Sequence, residues 1–352
     1  MTRSKHPRLI RMLPSCAAAF VMTGLAWAAT PALAGDEMQV PALMYHRFGE
    51  DEYPTTSVRL SQLDAHLEEI AREGHAVLTL GEVIDAWEKG EALPPGAIAL
   101  SVDDGYASVF KAGWPRLKAA GLRFTLFLST DPIDRGIGGY LSWDEVRALV
   151  ADGVEIGAHS VLHPHLPDLS EEEIRAEIRN SADRIEAEIG KRPTLFAYPY
   201  GEANDAAIRI VKELGFRAAF GQHSGVLAPE LPRFYLPRFP VNEHYGEPKM
   251  LAERMKALAL PVGEITPASP SLADSTNPPH FGFTVLLPGQ KLDQLACYRS
   301  DGGTVKNLDV LGDRVEMRFP DKFAPGRTRI NCTLPGPDGR WRWFGWQFYR
   351  GN

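Results

Sequence analysis

The stretch Ala97-Ile98-Ala99-Leu100-Ser101-Val102-Asp103-Asp104-Gly105 decides how the chain is read. An apolar run of strand length ends on two adjacent acids and a glycine. A second run, Val154-Glu155-Ile156-Gly157-Ala158, ends on His159, and His163 follows before Pro164. Strand ends are where folds that alternate strand and helix place their chemistry. Two imidazoles and one carboxylate leave a coordination position open, as catalytic zinc sites do. Asp104, His159 and His163 are therefore the expected ligands of zinc or a similar divalent ion. Asp103 stays free to act as base toward a water, which points to metal-assisted hydrolysis. Taken singly, Asp-Asp-Gly is a common turn and a histidine pair is usually structural. Their conjunction at successive strand ends carries the reading. His165 lies beyond Pro164, which redirects the chain, so it is expected to point elsewhere.

Outward from this core, short apolar runs at 40–45, 76–80, 97–102, 124–128, 154–158, 195–198, 218–220 and 234–236 read as strands. Amphipathic patterns between them read as helices. The clearest begins at Ser170, whose capping box with Glu173 precedes an apolar face of Ile174, Ile178, Ala182, Ile185 and Ile189, and Gly190 ends it. Repeated strand-helix alternation gives an α/β domain with a parallel sheet inside and helices outside, open or closed into a barrel.

The remaining segments differ in character. Arg3, Lys5, Arg8 and Arg11, an apolar stretch and Ala32-Leu33-Ala34 read as a signal peptide over 1–34. The chain is accordingly expected in the periplasm or secreted, with no stable membrane insertion after cleavage. Residues 35–260 hold the α/β pattern. Prolines, serines and threonines over 261–281 read as a linker, and 282–352 as a small all-β sandwich. In that last part Trp341, Trp343, Phe344, Trp346, Phe348 and Tyr349 fall on both strand faces, so core packing is the plainer reading and a sugar-stacking platform the sharper one. Cys297 and Cys332 remain after the signal, and an exported protein could pair them. With 44% hydrophobic and 24% charged residues and a net charge of -7, the chain has ordinary globular composition and no basic patch of the kind a nucleic-acid binder carries.

The motifs resemble those of the polysaccharide deacetylases, carbohydrate esterase family four. The family's Thr-Phe-Asp-Asp-Gly is here Ser101 to Gly105. Its His-Ser/Thr-x-x-His-Pro is here His159 to Pro164, and its Pro-Tyr-Gly is Pro199-Tyr200-Gly201. The resemblance spans roughly residues 38 to 245. It implies a distorted (β/α) barrel of about seven parallel strands, Asp103 as base, Asp104 with both histidines as metal ligands, and a backbone donor at Tyr200 for the oxyanion. It also implies removal of N-acetyl groups from an aminosugar polysaccharide. Many members carry an arginine just before the third motif, where this chain reads Phe196-Ala197-Tyr198. Arg238 is the candidate substitute. The family's late Leu-x-His is absent after Arg238. Leu43-Met44-Tyr45-His46 instead resembles the rearranged order of poly-β-1,6-N-acetylglucosamine deacetylases, which makes His46 the expected acid for the departing amine. Trp143, at a helix start where members often place tryptophan, is a candidate substrate contact beside a plainer packing role.

The same site would suit a peptidoglycan deacetylase, an O-acetyl esterase or a small-molecule amidase, because the acyl group is attacked alike. A non-catalytic glycan-binding protein is the alternative outside enzymes. Serine-hydrolase chemistry is disfavoured, since no Gly-x-Ser-x-Gly occurs. An iron oxygenase would leave the second aspartate without a task.

Overall fold

The computed structural model describes residues 1–2 and 35–351, and 35–351 lie in one compact unit. The expected signal peptide thus falls almost entirely outside the described residues. No helix among the described residues is long and apolar enough to cross a membrane.

Parallel strands β1 (Val40–Tyr45), β2 (Ile98–Val102), β3 (Thr125–Leu128), β4 (Glu155–Ala158), β5 (Leu195–Ala197) and β6 (Ala218–Phe220) lie side by side in that order. Val77–Leu78 adds in parallel to β2, and Val226–Leu227 runs antiparallel to β1. Strand β7 (Phe239–Pro240) pairs with β1, while Leu236 just before it bridges to Phe220 of β6. The sheet therefore curls back on itself into a distorted barrel. Its strands are covered on both faces, so β1 and β2 are buried at every position and read as continuous apolar runs.

Helices between strands form where their caps predict. Ser170 accepts from the Glu173 amide to open Glu171–Ile189, and Gly190 closes it at φ +72°. Ser142 does the same for Trp143–Ala151. Two expectations shift. The run at 234–236 is not a strand: Pro237 has no amide hydrogen to continue the ladder, so only Leu236 bridges and pairing resumes at β7. Thr79 caps the helix Leu80–Lys89, which cuts the strand at 76–80 back to Val77–Leu78.

Beyond the barrel stand two all-β sheets. Leu258–Ala259 and Gly303–Thr304 flank the strands β8 (Ala296–Arg299), β9 (Gly326–Pro335) and β10 (Trp341–Arg350) in one sheet. The other holds Val262–Thr266, Phe281–Val285, Arg314–Met317 and Leu308–Leu311. They meet through Phe281 against Phe348, ring centres 5.2 Å apart, and Phe283 against Phe344 at 4.8 Å. Cys297 and Cys332 are register partners on β8 and β9 and form a disulfide. The expected linker needs correction: Val262–Thr266 is a strand paired with Phe281–Val285, so part of 261–281 is built into a sheet.

Candidate active site and metal centre

Register brings the motif residues to one rim. Tyr45 of β1 sits beside Val102 of β2, and the Asp103 amide donates to the Tyr45 carbonyl at 2.9 Å. His46 and the acid pair therefore leave adjacent strands together. Leu128, Ala158 and Phe196 are successive partners across β3, β4 and β5, which carries His159 to the same rim.

Asp104, His159 and His163 converge, with one ligand atom of each lying within 4.8 Å of the others. His159 Nε2 and His163 Nε2 stand 3.2 and 3.3 Å from Asp104 Oδ1. His159 Nδ1 is 2.7 Å from the Ala197 carbonyl, which can only accept, so Nδ1 carries the hydrogen and Nε2 turns its lone pair to the site. The contact to Asp104 is close but misaligned for a hydrogen bond. Asp104 Oδ1 and His159 Nε2 are both buried without a hydrogen-bond partner. Buried polar atoms are normally satisfied. A cation seated among these donors would satisfy both, and two imidazoles with a carboxylate suit zinc-like ions. The residues therefore fit a metal.

The loop that delivers the histidines is pinned locally. The Val161 and Leu162 amides both donate to Glu177 Oε2 at 2.9 Å, and the His163 amide donates to Ser160 Oγ at 3.0 Å. Asp104, Ser160, His163 and Tyr200 all take left-handed φ, at 76°, 65°, 57° and 58°. Non-glycine residues seldom do so, and such strain gathers at functional sites.

Arg238 reaches the first acid. Its Nη1 and Nη2 donate to the two Asp103 carboxylate oxygens at 2.7 and 2.8 Å, and both side chains are 0% exposed. Its remaining donors go to Ser101 Oγ at 3.1 Å and the Gly221 carbonyl at 3.2 Å. Burial alone would raise the Asp103 pKa, but Arg238, His159 and His46 together outweigh it and the net shift is downward. Burial likewise opposes ionisation of Asp104, yet His159, His163 and His46 hold it well below the usual carboxylate range. In His159 burial pulls downward, but Asp104 and Asp103 win and the pKa rises. In His46 burial prevails over Asp104 and Asp103, and the pKa falls.

A cavity of about 860 Å³ opens over this rim, lined by His46, Asp104, His163 and Tyr200 on the barrel side. The all-β part supplies the facing wall, including Tyr298, Arg327, Arg329, Asn331 and Trp343. Tyr200 sits in the turn Pro199–Gly201, its ring against that of His163 with centres 4.4 Å apart. That turn is held from across the seam: Gln347 Nε2 donates to the Tyr200 and Gly201 carbonyls at 3.2 and 2.8 Å, and Arg327 Nη1 donates to Tyr200 O at 3.3 Å. Gly345 of β10 packs so closely that a Cβ there would lie 2.0 Å from the Ser224 carbonyl.

Trp143 needs correction as a substrate contact. It is not part of the cavity lining, because its indole donates to Asp134 at 2.7 Å and its ring lies under Arg184. His165 stands apart from the ligand trio, bonded to Glu202 at 2.6 Å and stacked on Tyr200. The aromatic C-terminus divides: Phe344, Trp346 and Phe348 are core, and Trp343 faces the cavity. Sequence reasoning missed Gln347, Arg327 and Arg329. The one signal for Arg327 and Arg329 was polar alternation through 327, 329 and 331 in a sandwich strand, and Gln347 had none.

Residues 90–219 match the family model described as polysaccharide deacetylase. The chain is 24% identical, over 54% of its length and 35% of the relative's, to the poly-β-1,6-N-acetyl-D-glucosamine N-deacetylase of Escherichia coli strain K12. It therefore spans about a third of that relative. It is 23% identical to the enzyme of the same name from Staphylococcus aureus strain MSSA476, over 57% of this chain and 73% of that one. Among solved structures, the Streptococcus pyogenes deacetylase PplD in complex with acetate superposes with a TM-score of 0.58 at 23% identity, covering 62% of this chain and 98% of that chain. That last likeness is one of fold. The matched residues 90–219 include the acid pair, both histidines and Pro199-Tyr200-Gly201, so over that span the chain is similar to the polysaccharide deacetylases.

Proposed function

We propose that this chain hydrolyses N-acetyl groups on an aminosugar polysaccharide, releasing acetate and leaving free amines. The observation that carries the reading is the buried, unpartnered pair of donor atoms on Asp104 and His159, with His163 beside them and the Asp103–Arg238 pair next to Asp104. Asp104, His159 and His163 would hold a divalent cation, zinc in our reading. Such an ion, when bound, supplies Lewis acidity toward a carbonyl and acidifies water toward a pKa of about 7.

The chain's own groups divide the remaining work. Asp103, kept ionised by Arg238, accepts the proton of the attacking water as the carbon–oxygen bond forms. The Tyr200 backbone amide, in its left-handed turn, is the donor for the developing oxyanion. His46 gives a proton to the nitrogen as the carbon–nitrogen bond breaks, so the amine leaves neutral. We further place the chain outside the cytoplasm, on its basic and apolar leader and on the Cys297–Cys332 disulfide.

Acetate release from N-acetylglucosamine oligomers, read with zinc supplied and with chelator, tests the reaction. Chelator should abolish release. Asp104→Ala should lose bound zinc and at least about 1,000-fold in rate. Undiminished release by either preparation refutes the mechanism.

A further inference from the structure

The two walls of the cavity differ in charge. Among the described residues, Asp104 is the sole acid of the lining, and its place is at the proposed metal. Arg254, Arg327 and Arg329 also line it. Strand alternation explains two of them: on β9, Arg327, Arg329 and Asn331 share one face while Thr328, Ile330 and Cys332 are buried on the other. The sandwich core thus takes the apolar half of β9 and hands its polar half to the cavity.

These guanidiniums are poorly neutralised. Arg329 donates through Nε to Gln347 Oε1 at 2.9 Å and makes no ion pair with an acid among the described residues. Arg254 donates to the Pro240 and Tyr245 carbonyls and likewise has no acid partner there. Arg327 shares Glu202, at 3.5 Å, with His165. Burial, together with the charge of neighbouring Arg327, pulls the Arg329 pKa down, in keeping with the lack of an acid partner. A partly buried guanidinium without a counter-charge is costly, and a ligand carboxylate that accepts two parallel hydrogen bonds offsets that cost.

We propose that the cavity takes an acidic glycan, in which Arg329, with Arg327 beside it, binds an oxyanion on a sugar adjoining the one that loses its acetyl group. This rests on the deacetylase reading of the same site and sets its substrate class. The walls also argue against a polymer whose only charges are the amines that deacetylation creates. Each such amine is cationic near neutral pH and would enter a cavity already holding three guanidiniums. Tyr298 and Trp343 on the same wall offer aromatic faces to the sugar rings.

Binding decides the matter independently of turnover. The full chain, chelated so that nothing is consumed, is titrated calorimetrically with an oligosaccharide alternating N-acetylglucosamine and glucuronate, with its carboxyl-reduced form, and with an N-acetylglucosamine oligomer bearing sulfate esters. The acidic oligomer should bind roughly tenfold more tightly than the reduced one, with an advantage that shrinks as salt is raised. Arg329→Gln should bring the ratio close to one, and Arg329→Lys should keep part of it. A sulfated oligomer equal to the uronate shows that charge alone is read, and preference for the uronate shows that carboxylate shape is read. Equal binding of acidic and reduced oligomers, no measurable binding of the acidic one, or equal weakening of both by Arg329→Gln overturns the proposal. Should the zinc-loaded chain release no acetate from any oligomer, the deacetylase reading fails, and the titration still reports on the anion.

Discussion

The barrel wall and the sheet wall of the cavity are built by different rules. On the barrel wall, Asp103, Asp104, His159 and His163 arrive in two short contiguous motifs, and backbone register sets them side by side. On the sheet wall, Arg327, Arg329, Asn331 and Gln347 are spread over two strands and meet only because β9 and β10 pair, with Arg329 opposite Gln347. The first wall holds charge that must be matched internally. The second holds charge facing outward, with Gln347 turned back to grip the Tyr200 turn. Chemistry is thus encoded locally, whereas its support and specificity depend on a sheet placed from elsewhere in the chain.

The sharpest way to break this contrast is Arg238→Met. It removes one partner of a fully buried ion pair and leaves Asp103 uncompensated in the barrel. Breaking such a pair costs about 3–5 kcal/mol. Urea unfolding should register a loss of that size, and acetate release should collapse because Asp103, the proposed base, is no longer held ionised. Arg238→Lys should recover part of the stability but not the two-pronged grip. Wild-type stability in the methionine variant would mean that Asp103 is not dependent on Arg238.

How much was legible follows the same divide. The motifs lead one to expect Asp104, His159 and His163 at one rim, and they converge there, because a strand end fixes where the next residues go. Arg238 was legible only as a candidate, since nothing local says that a residue 135 positions away faces Asp103. The linker was misjudged for a physical reason. Pro261 and Pro267 mark places where a ladder hydrogen bond is lost, but they flank Val262–Thr266 and leave it free to pair. Trp143 was misplaced because a helix start fixes a side chain's position but not which neighbours claim it. Gln347 was invisible, since a buried glutamine acquires meaning only through the carbonyls it meets.

The seam between the walls offers a smaller, pH-driven test. His223 is 1% exposed, with its ring against Tyr235 and Trp346, ring centres 4.7 and 6.2 Å away. Burial, with Arg329 and Arg238 nearby, pushes its pKa from 6.5 down to about 3. The folded value lies below the unfolded one, so the unfolded chain takes up the proton first as pH falls. Stability is complete above about 6.5 and drains toward 3, with about 2 kcal/mol lost by roughly pH 5. Unfolding midpoints measured across this window should decline for the native chain, and His223→Gln should flatten the decline by one proton's worth. An unchanged slope would show that His223 is not the group responsible.

The smallest expected effect separates support from chemistry on the sheet wall. Gln347→Leu removes the donors to the Tyr200 and Gly201 carbonyls and the acceptor for Arg329 Nε. The Gly201 carbonyl keeps its bond from the Tyr235 hydroxyl at 2.9 Å, so the turn should persist but loosen. The stability loss should stay at about 1–2 kcal/mol, because the Tyr200 carbonyl keeps Arg327 and the Gly201 carbonyl keeps Tyr235 as donors. Because the Tyr200 amide is the proposed oxyanion donor, kcat should drop by roughly tenfold while KM changes little, the pattern of an interaction made in the transition state. A rise in KM with kcat unchanged would move Gln347 from positioning the turn to binding the glycan. No kinetic change at all would leave the sheet wall without influence on the barrel's chemistry.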